Sequence, residues 1–191
     1  MSLDPALSQR TIALVGLMGV GKSSVGRRLA AVLGMAFCDV DDEIEKAAGC
    51  SIPDIFAKHG EAEFREGERR VIARLLDGPA HVMATGGGAF VQPTTQALLK
   101  EKAITVWLQA DIEVLVKRTA RRDNRPLLKG KDARAVLTEL AQAREPAYAQ
   151  ADIHISSGEA PHQAAVDAII AGLKAHLARA PAPVPAEGLP P

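Results

Sequence analysis

The chain has 191 residues, 47% of them hydrophobic, which fits one domain with a core that needs neither disulfides nor a structural metal and excludes wholesale disorder. Lys and Arg number 23 and Asp and Glu number 23, so the balance argues against a globally basic nucleic-acid binder, and any charge logic is local. Two cysteines without zinc-spaced partners, no basic segment leading into a long apolar one, and no apolar run of bilayer length together give the expectation of a cytoplasmic protein with no membrane partner.

Residues 1–9 show no periodicity and read as an N-terminal tail, leaving residues 10–179 as the domain. Thr11–Val15 (TIALV) is a continuous β-prone run, as expected for a strand covered on both faces. Gly16-Leu17-Met18-Gly19-Val20-Gly21-Lys22-Ser23 follows at once and matches G-x-x-x-x-G-K-[ST]. Val25, Leu29, Val32 and Leu33 then form a helix stripe. The motif therefore sits between a strand and a helix, where its chemistry requires it. The glycines let successive N–H groups turn inward onto phosphate oxygens, the helix start adds the positive end of its dipole, Lys22 reaches the β- and γ-phosphates, and the Ser23 hydroxyl can ligate Mg²⁺. Such a loop predicts binding of a nucleoside triphosphate but does not choose the reaction.

A second strand is predicted over residues 35–40, with Cys38 in the core and Cys50 a spectator. Its carboxyl end opens into Asp39-Val40-Asp41-Asp42-Glu43-Ile44-Glu45. The carboxyl ends of parallel strands form the ligand crevice. Alternation would put Asp39 and Asp41 on one side of the chain, one near a metal's water shell and the other gripping a substrate hydroxyl. Asp42, Glu43 and Glu45 read as the solvated start of a helix. Short helices over 44–48 and 52–59 and a longer one over 64–76 come next. In the last, Arg65 and Glu68 share a face; an arginine fixed by a glutamate suits capture of a carboxylate, although an ordinary surface pair has the same spacing.

The third strand, residues 81–85, runs into Gly86-Gly87-Gly88, where backbone can approach a ligand closely or simply form a flexible loop. The fourth strand covers 104–108, and Ile112, Leu115, Val116 and Thr119 mark another helix. Residues 117–134 then hold eight basic residues, among them Arg118 and Arg125, against Asp123 and Asp132. In a phosphoryl transferase this reads as a lid that excludes water and supplies positive charge; the alternatives are a solvated basic face or a nucleic-acid patch, and with one Trp and one Tyr in the chain the latter lacks stacking residues. Residues 132–144 are helical by composition, with Arg144 near the end where it can merely complement the dipole. Ile153 and Ile155 mark the fifth strand, and Val166, Ile169, Ile170, Leu173 and Leu177 a closing helix. The five histidines show no ligand spacing and receive no role, and residues 180–191, with five prolines, read as a disordered tail. Strands alternating with helices predict an α/β fold, a parallel sheet with helices on both faces.

Taken in register, GLMGVGKSSVGRRLA, DVDDEIE, SIPDIFAKHGEAEFREGE, TGGGA, RPLL and REPAYAQAD resemble the shikimate kinases, a branch of the nucleoside-monophosphate-kinase-like P-loop proteins, from about Thr11 to Leu177. The resemblance implies a three-layer α/β/α fold with sheet order 2-3-1-4-5, a mobile lid and a monomer. It implies transfer of the ATP γ-phosphate to the 3-hydroxyl of shikimate, in the route to chorismate and the aromatic amino acids, with Mg²⁺ as cofactor. It places the nucleotide on Gly19, Val20, Gly21, Lys22, Ser23 and Ser24, with Arg125 on the phosphates and Arg118 against the adenine. Ser23 would bind Mg²⁺ directly and Asp39 through water. Asp41 would hold the shikimate hydroxyls and orient or deprotonate the attacking one; Arg65 and Arg144 would grip the carboxylate, Glu68 would steady Arg65, and the Gly87 and Gly88 backbone would complete the pocket. Many relatives carry a basic residue beside the adenine in the loop after the last strand. That loop here, Ser156-Ser157-Gly158-Glu159-Ala160-Pro161, has none, which leaves the contact to backbone or apolar atoms. The competing expectations are a gluconate kinase of the same branch, against which the paired arginines and the Asp-x-Asp speak, and a non-catalytic ATP-binding module.

Overall fold

A computed structural model describes residues 9–120, 132–158 and 161–179. The element order is β1 (Thr11–Val15), α1 (Lys22–Leu33), β2 (Ala36–Asp39), α2 (Val40–Ala48), α3 (Ile52–Leu76), β3 (His81–Ala84), a 3-10 turn (Ala89–Val91), α4 (Pro93–Lys102), β4 (Ala103–Gln109), α5 (Ile112–Thr119), α6 (Ala133–Tyr148), β5 (Ile153–Ser156) and α7 (His162–Arg179). The five strands pair in parallel in the order β2-β3-β1-β4-β5. Burial explains the sequence patterns: central β1 is buried throughout, whereas edge strand β5 alternates, with Ile153 and Ile155 inside and His154 and Ser156 outside. Helix α1 lies against β3 and α7, and α4 against β4 and α3, which gives the three layers and leaves the carboxyl edge of the sheet open. Among the described residues no helix is long and apolar enough to cross a membrane. The two terminal tails lie outside the described residues, except for residue 9.

Four features differ from the sequence reading, each for a local reason. Strand β2 stops at Asp39 because its carboxylate accepts the Asp41 N–H (3.2 Å) and caps α2, so Asp41 belongs to a helix turn and not to an alternating strand. The two helices expected over 52–59 and 64–76 are contiguous in α3, but the backbone breaks at Gly60 (φ 77°, ψ 179°), a conformation open to glycine and strained for other residues. Helix α6 runs past Arg144 to Tyr148: Pro146 removes one donor, and the Ala149 N–H to Glu145 carbonyl bond (2.8 Å) closes the end. Helix α4 was not expected, because its buried positions are Thr95 and Leu99, and a buried threonine breaks the apolar stripe.

Cys38 is half-buried on the edge strand, not in the core, and burial together with the nearby Glu43 and Asp39 carboxylates pushes its thiol up to about 12. Alkylation by iodoacetamide at pH 8, followed by peptide mapping, is expected to modify Cys38 roughly a thousandfold more slowly than free cysteine. Labelling at the rate of the free amino acid would contradict this.

Candidate active site

The phosphate loop joins β1 to α1 at the open edge. Gly19 (φ 83°) and Gly21 (φ 103°) hold left-handed backbone, and a side chain at Gly19 would begin 2.8 Å from Thr119 Cγ2. Lys22 curls back over the loop, its Nζ donating to the carbonyls of Gly16 (2.8 Å) and Leu17 (3.0 Å). Ser23 Oγ donates to Asp39 Oδ2 (2.6 Å), so the first turn of α1 is tied to the end of β2. The hydroxyl and carboxylate expected to share a cation are thus already side by side.

Arg118 reaches the same loop from α5. Its Nη1 donates to the Val20 carbonyl (3.0 Å) and its Nη2 to the Gly158 carbonyl (2.8 Å), while Ser157 Oγ also donates to Val20 (3.3 Å). His162, given no role from its spacing, lies at Gly21: a side chain there would begin 3.4 Å from its Cε1 and 3.8 Å from Arg118 Nη1. Its burial and the charges of Arg28 and Arg118 hold the imidazole below its usual range. Arg125 and most of the basic 117–134 segment lie outside the described residues.

Across the edge from the P-loop stand the groups expected to meet the acceptor. Asp41 is set in the first turn of α2. Partial burial of the carboxyl and the neighbouring Asp39 carboxylate push its pKa up, while the Lys22 charge pulls it down; the net direction is upward. The side chain still opens to solvent, so the push is softened until an acceptor displaces that water. On α3, Arg65 Nη1 donates to Glu68 Oε2 (2.8 Å) and Nη2 to Glu61 Oε1 (3.3 Å). Glu68 is only 1% exposed, so this is no ordinary surface pair. Its Oε1 has no hydrogen-bond partner among the described residues, and burial pushes the carboxyl up against the opposing pull of Arg65.

The three glycines after β3 bring these groups together. A side chain at Gly86 would begin 2.7 Å from Glu68 Oε1 and 3.0 Å from Asp41 Oδ1. At Gly87 it would meet Arg144 Nη1 at 3.4 Å, and at Gly88 it would run into the Arg65 guanidinium. Arg144 Nη1 donates to the Gly87 carbonyl (2.8 Å), which is more specific than complementing a helix dipole. Tyr148, which sequence reasoning passed over, donates its hydroxyl to that same carbonyl. Its position one turn after Arg144 was the available signal.

A phosphate loop facing a carboxylate and two arginines across one edge of a 2-3-1-4-5 parallel sheet defines the class of P-loop kinases that act on small molecules. Comparison with known proteins narrows the class. The family model described as shikimate kinase matches residues 18–174. A shikimate kinase from Caulobacter vibrioides is 64% identical over 168 residues, covering 88% of this chain and 84% of its own length. One from Paramagnetospirillum magneticum is 57% identical, covering 92% and 91%. Among solved structures, the shikimate kinase from Acinetobacter baumannii in complex with shikimate superposes with a TM-score of 0.84 at 38% identity, over 89% of this chain and 96% of its own. A gluconokinase from Sinorhizobium meliloti, at 18% identity and a TM-score of 0.63, shares the fold alone. The chain belongs to the shikimate kinase family.

Proposed function

We propose that this chain transfers the γ-phosphoryl group of ATP to the 3-hydroxyl of shikimate, yielding shikimate 3-phosphate and ADP on the way to chorismate and the aromatic amino acids. The observation that carries the reading is the convergence of Asp41, Arg65 and Arg144 on Gly86, Gly87 and Gly88, beside Lys22. Shikimate is a small polyhydroxy carboxylate. Two guanidiniums match its anion, and one carboxylate matches its hydroxyls. Glu68 holds the Arg65 fork in place, so less rotational freedom is lost on binding.

Phosphoryl transfer asks a protein chiefly for positioning and charge. Asp41 accepts the hydrogen of the attacking hydroxyl and aims its oxygen; the rise in its proton affinity suits a general base better than an ordinary surface aspartate. Lys22 and the N–H groups from Gly19 to Ser24 hold the phosphates. Arg118 borders the adenine side, joined to it by the Gly158 and Val20 carbonyls. Arg125 is proposed as the lid arginine. The fit for Mg²⁺ rests on Ser23 Oγ and Asp39 Oδ2, hard oxygen donors 2.6 Å apart. When bound, the ion neutralises phosphate charge. A monomer, as the family resemblance implies, is the proposed working unit, and the cytosol, where ATP is supplied, is its proposed site.

The test is ADP release, coupled to an optical readout, with shikimate, with gluconate and with no acceptor. Release that depends on shikimate is expected; release with gluconate but not shikimate, or nucleotide binding without turnover, overturns the proposal. Arg65→Ala is expected to raise the shikimate KM by about 10- to 100-fold, the size of a lost charge-assisted contact, with the ATP KM unchanged. A rise confined to the ATP KM would refute the role given to Arg65.

A further inference from the structure

The Gly87 carbonyl accepts two side-chain donors from one helix: Arg144 Nη1 at 2.8 Å and the hydroxyl of Tyr148. The two residues are four apart on α6 and therefore share a face. Tyr148 is 1% exposed, and its setting is built from several elements. Its ring lies 5.7 Å from that of Trp107 on β4, and the preceding residue's carbonyl, that of Ala147, accepts Gln96 Nε2 from α4 (3.1 Å). Burial also pushes the phenol up, so it stays a hydrogen donor at neutral and mildly alkaline pH.

A carbonyl with one donor can swing toward that donor; with two, its direction is fixed. Arg144 has hydrogens to spare, and the one spent on Gly87 determines where the others point. We propose that Tyr148 is a positioning residue for the acceptor's carboxylate: by pinning the Gly87 carbonyl it fixes the peptide plane on which Arg144 is braced, and so aims the remaining Arg144 N–H groups into the pocket. The proposal rests on the reading of Arg144 as a carboxylate ligand. It assigns Tyr148 no contact with substrate and no part in proton transfer.

Tyr148→Phe keeps the ring and removes only the hydroxyl. Steady-state kinetics of this variant should show a shikimate KM raised about five- to twentyfold, as for loss of one hydrogen bond, with kcat and the ATP KM near wild type. An acceptor analogue lacking the carboxylate should show the same KM with both proteins, and in an Arg144→Ala background the same change should have no further effect. A wild-type shikimate KM in Y148F overturns the proposal, and so does an equal rise for the analogue, since general loosening of the pocket would cause that. If R144A leaves the shikimate KM unchanged, the underlying reading of Arg144 fails; a raised KM in R144A beside an unchanged one in Y148F sinks the positioning role alone. A second measurement needs no substitution. The chain has one tyrosine, so 3-fluorotyrosine incorporation places a single ¹⁹F probe at position 148. Shikimate is expected to shift that resonance and the carboxylate-free analogue to leave it in place; no shift with shikimate overturns the proposal.

Discussion

Asp41→Asn should lower kcat by about 10²–10⁴, the range for losing a positioned general base, while ATP still binds. The substitution is nearly isosteric and preserves the helix start, because the bond to Asp39 Oδ1 comes from the backbone N–H of residue 41 and not from its side chain. What disappears is the negative charge and the ability to take a proton. The change also removes a repulsive neighbour of Asp39, which lets the Ser23–Asp39 pair persist. The pH profile adds an independent check. Partial burial and Asp39 raise the proton affinity of Asp41, so the carboxylate form is lost on acidification earlier than for an ordinary aspartate. Wild-type kcat/KM should therefore fall on an acid limb above the usual aspartate range, and that limb should be missing from the residual activity of D41N. An unchanged kcat rejects the role of Asp41 as base.

Lys22→Met is the second large effect, with kcat expected to fall about 10²–10³, as when one preorganised donor to developing charge is removed. Methionine keeps much of the length and apolar stem but cannot satisfy the Gly16 and Leu17 carbonyls that hold Nζ. The variant therefore loses both the charge and the tie that shapes the loop. Arginine should rescue poorly, because a compact ammonium fits between two carbonyls in a way that a planar fork does not. Shikimate binding, measured without nucleotide, should survive. A turnover within about tenfold of wild type would be too small for a group of this kind and would remove Lys22 from the transfer step.

The sheet was legible because its strands obey one rule: central strands covered on both faces read as unbroken apolar runs, and the alternating Ile153 and Ile155 mark an edge. The phosphate loop was legible for a related reason, since all its parts are consecutive in the chain. Helix α4 was hidden by Thr95, a polar residue that is 1% exposed. The acceptor side was much less legible. Arg65 and Glu68 are visible as a pair, but nothing in their spacing tells that Glu68 is buried or that Gly88 lies against the guanidinium. Arg144 meets Gly87 across 57 positions of sequence, and only resemblance to a family pointed to it. His162 against Gly21 is a contact of the same long-range kind, and no local pattern announces it. Chain-local chemistry can be read from order along the sequence; chemistry assembled across the sheet edge cannot.

The glycine tripeptide after β3 acts as a casting mould whose impressions are the methyl groups it lacks. Its three impressions receive side chains carried on α2 and α3, on α6, and again on α3, so each position has its own occupant. Retailoring the enzyme for a bulkier acid would therefore have to begin with those occupants, shortening or relocating them one at a time. Altering the tripeptide itself would dislodge an occupant before it admitted a new guest.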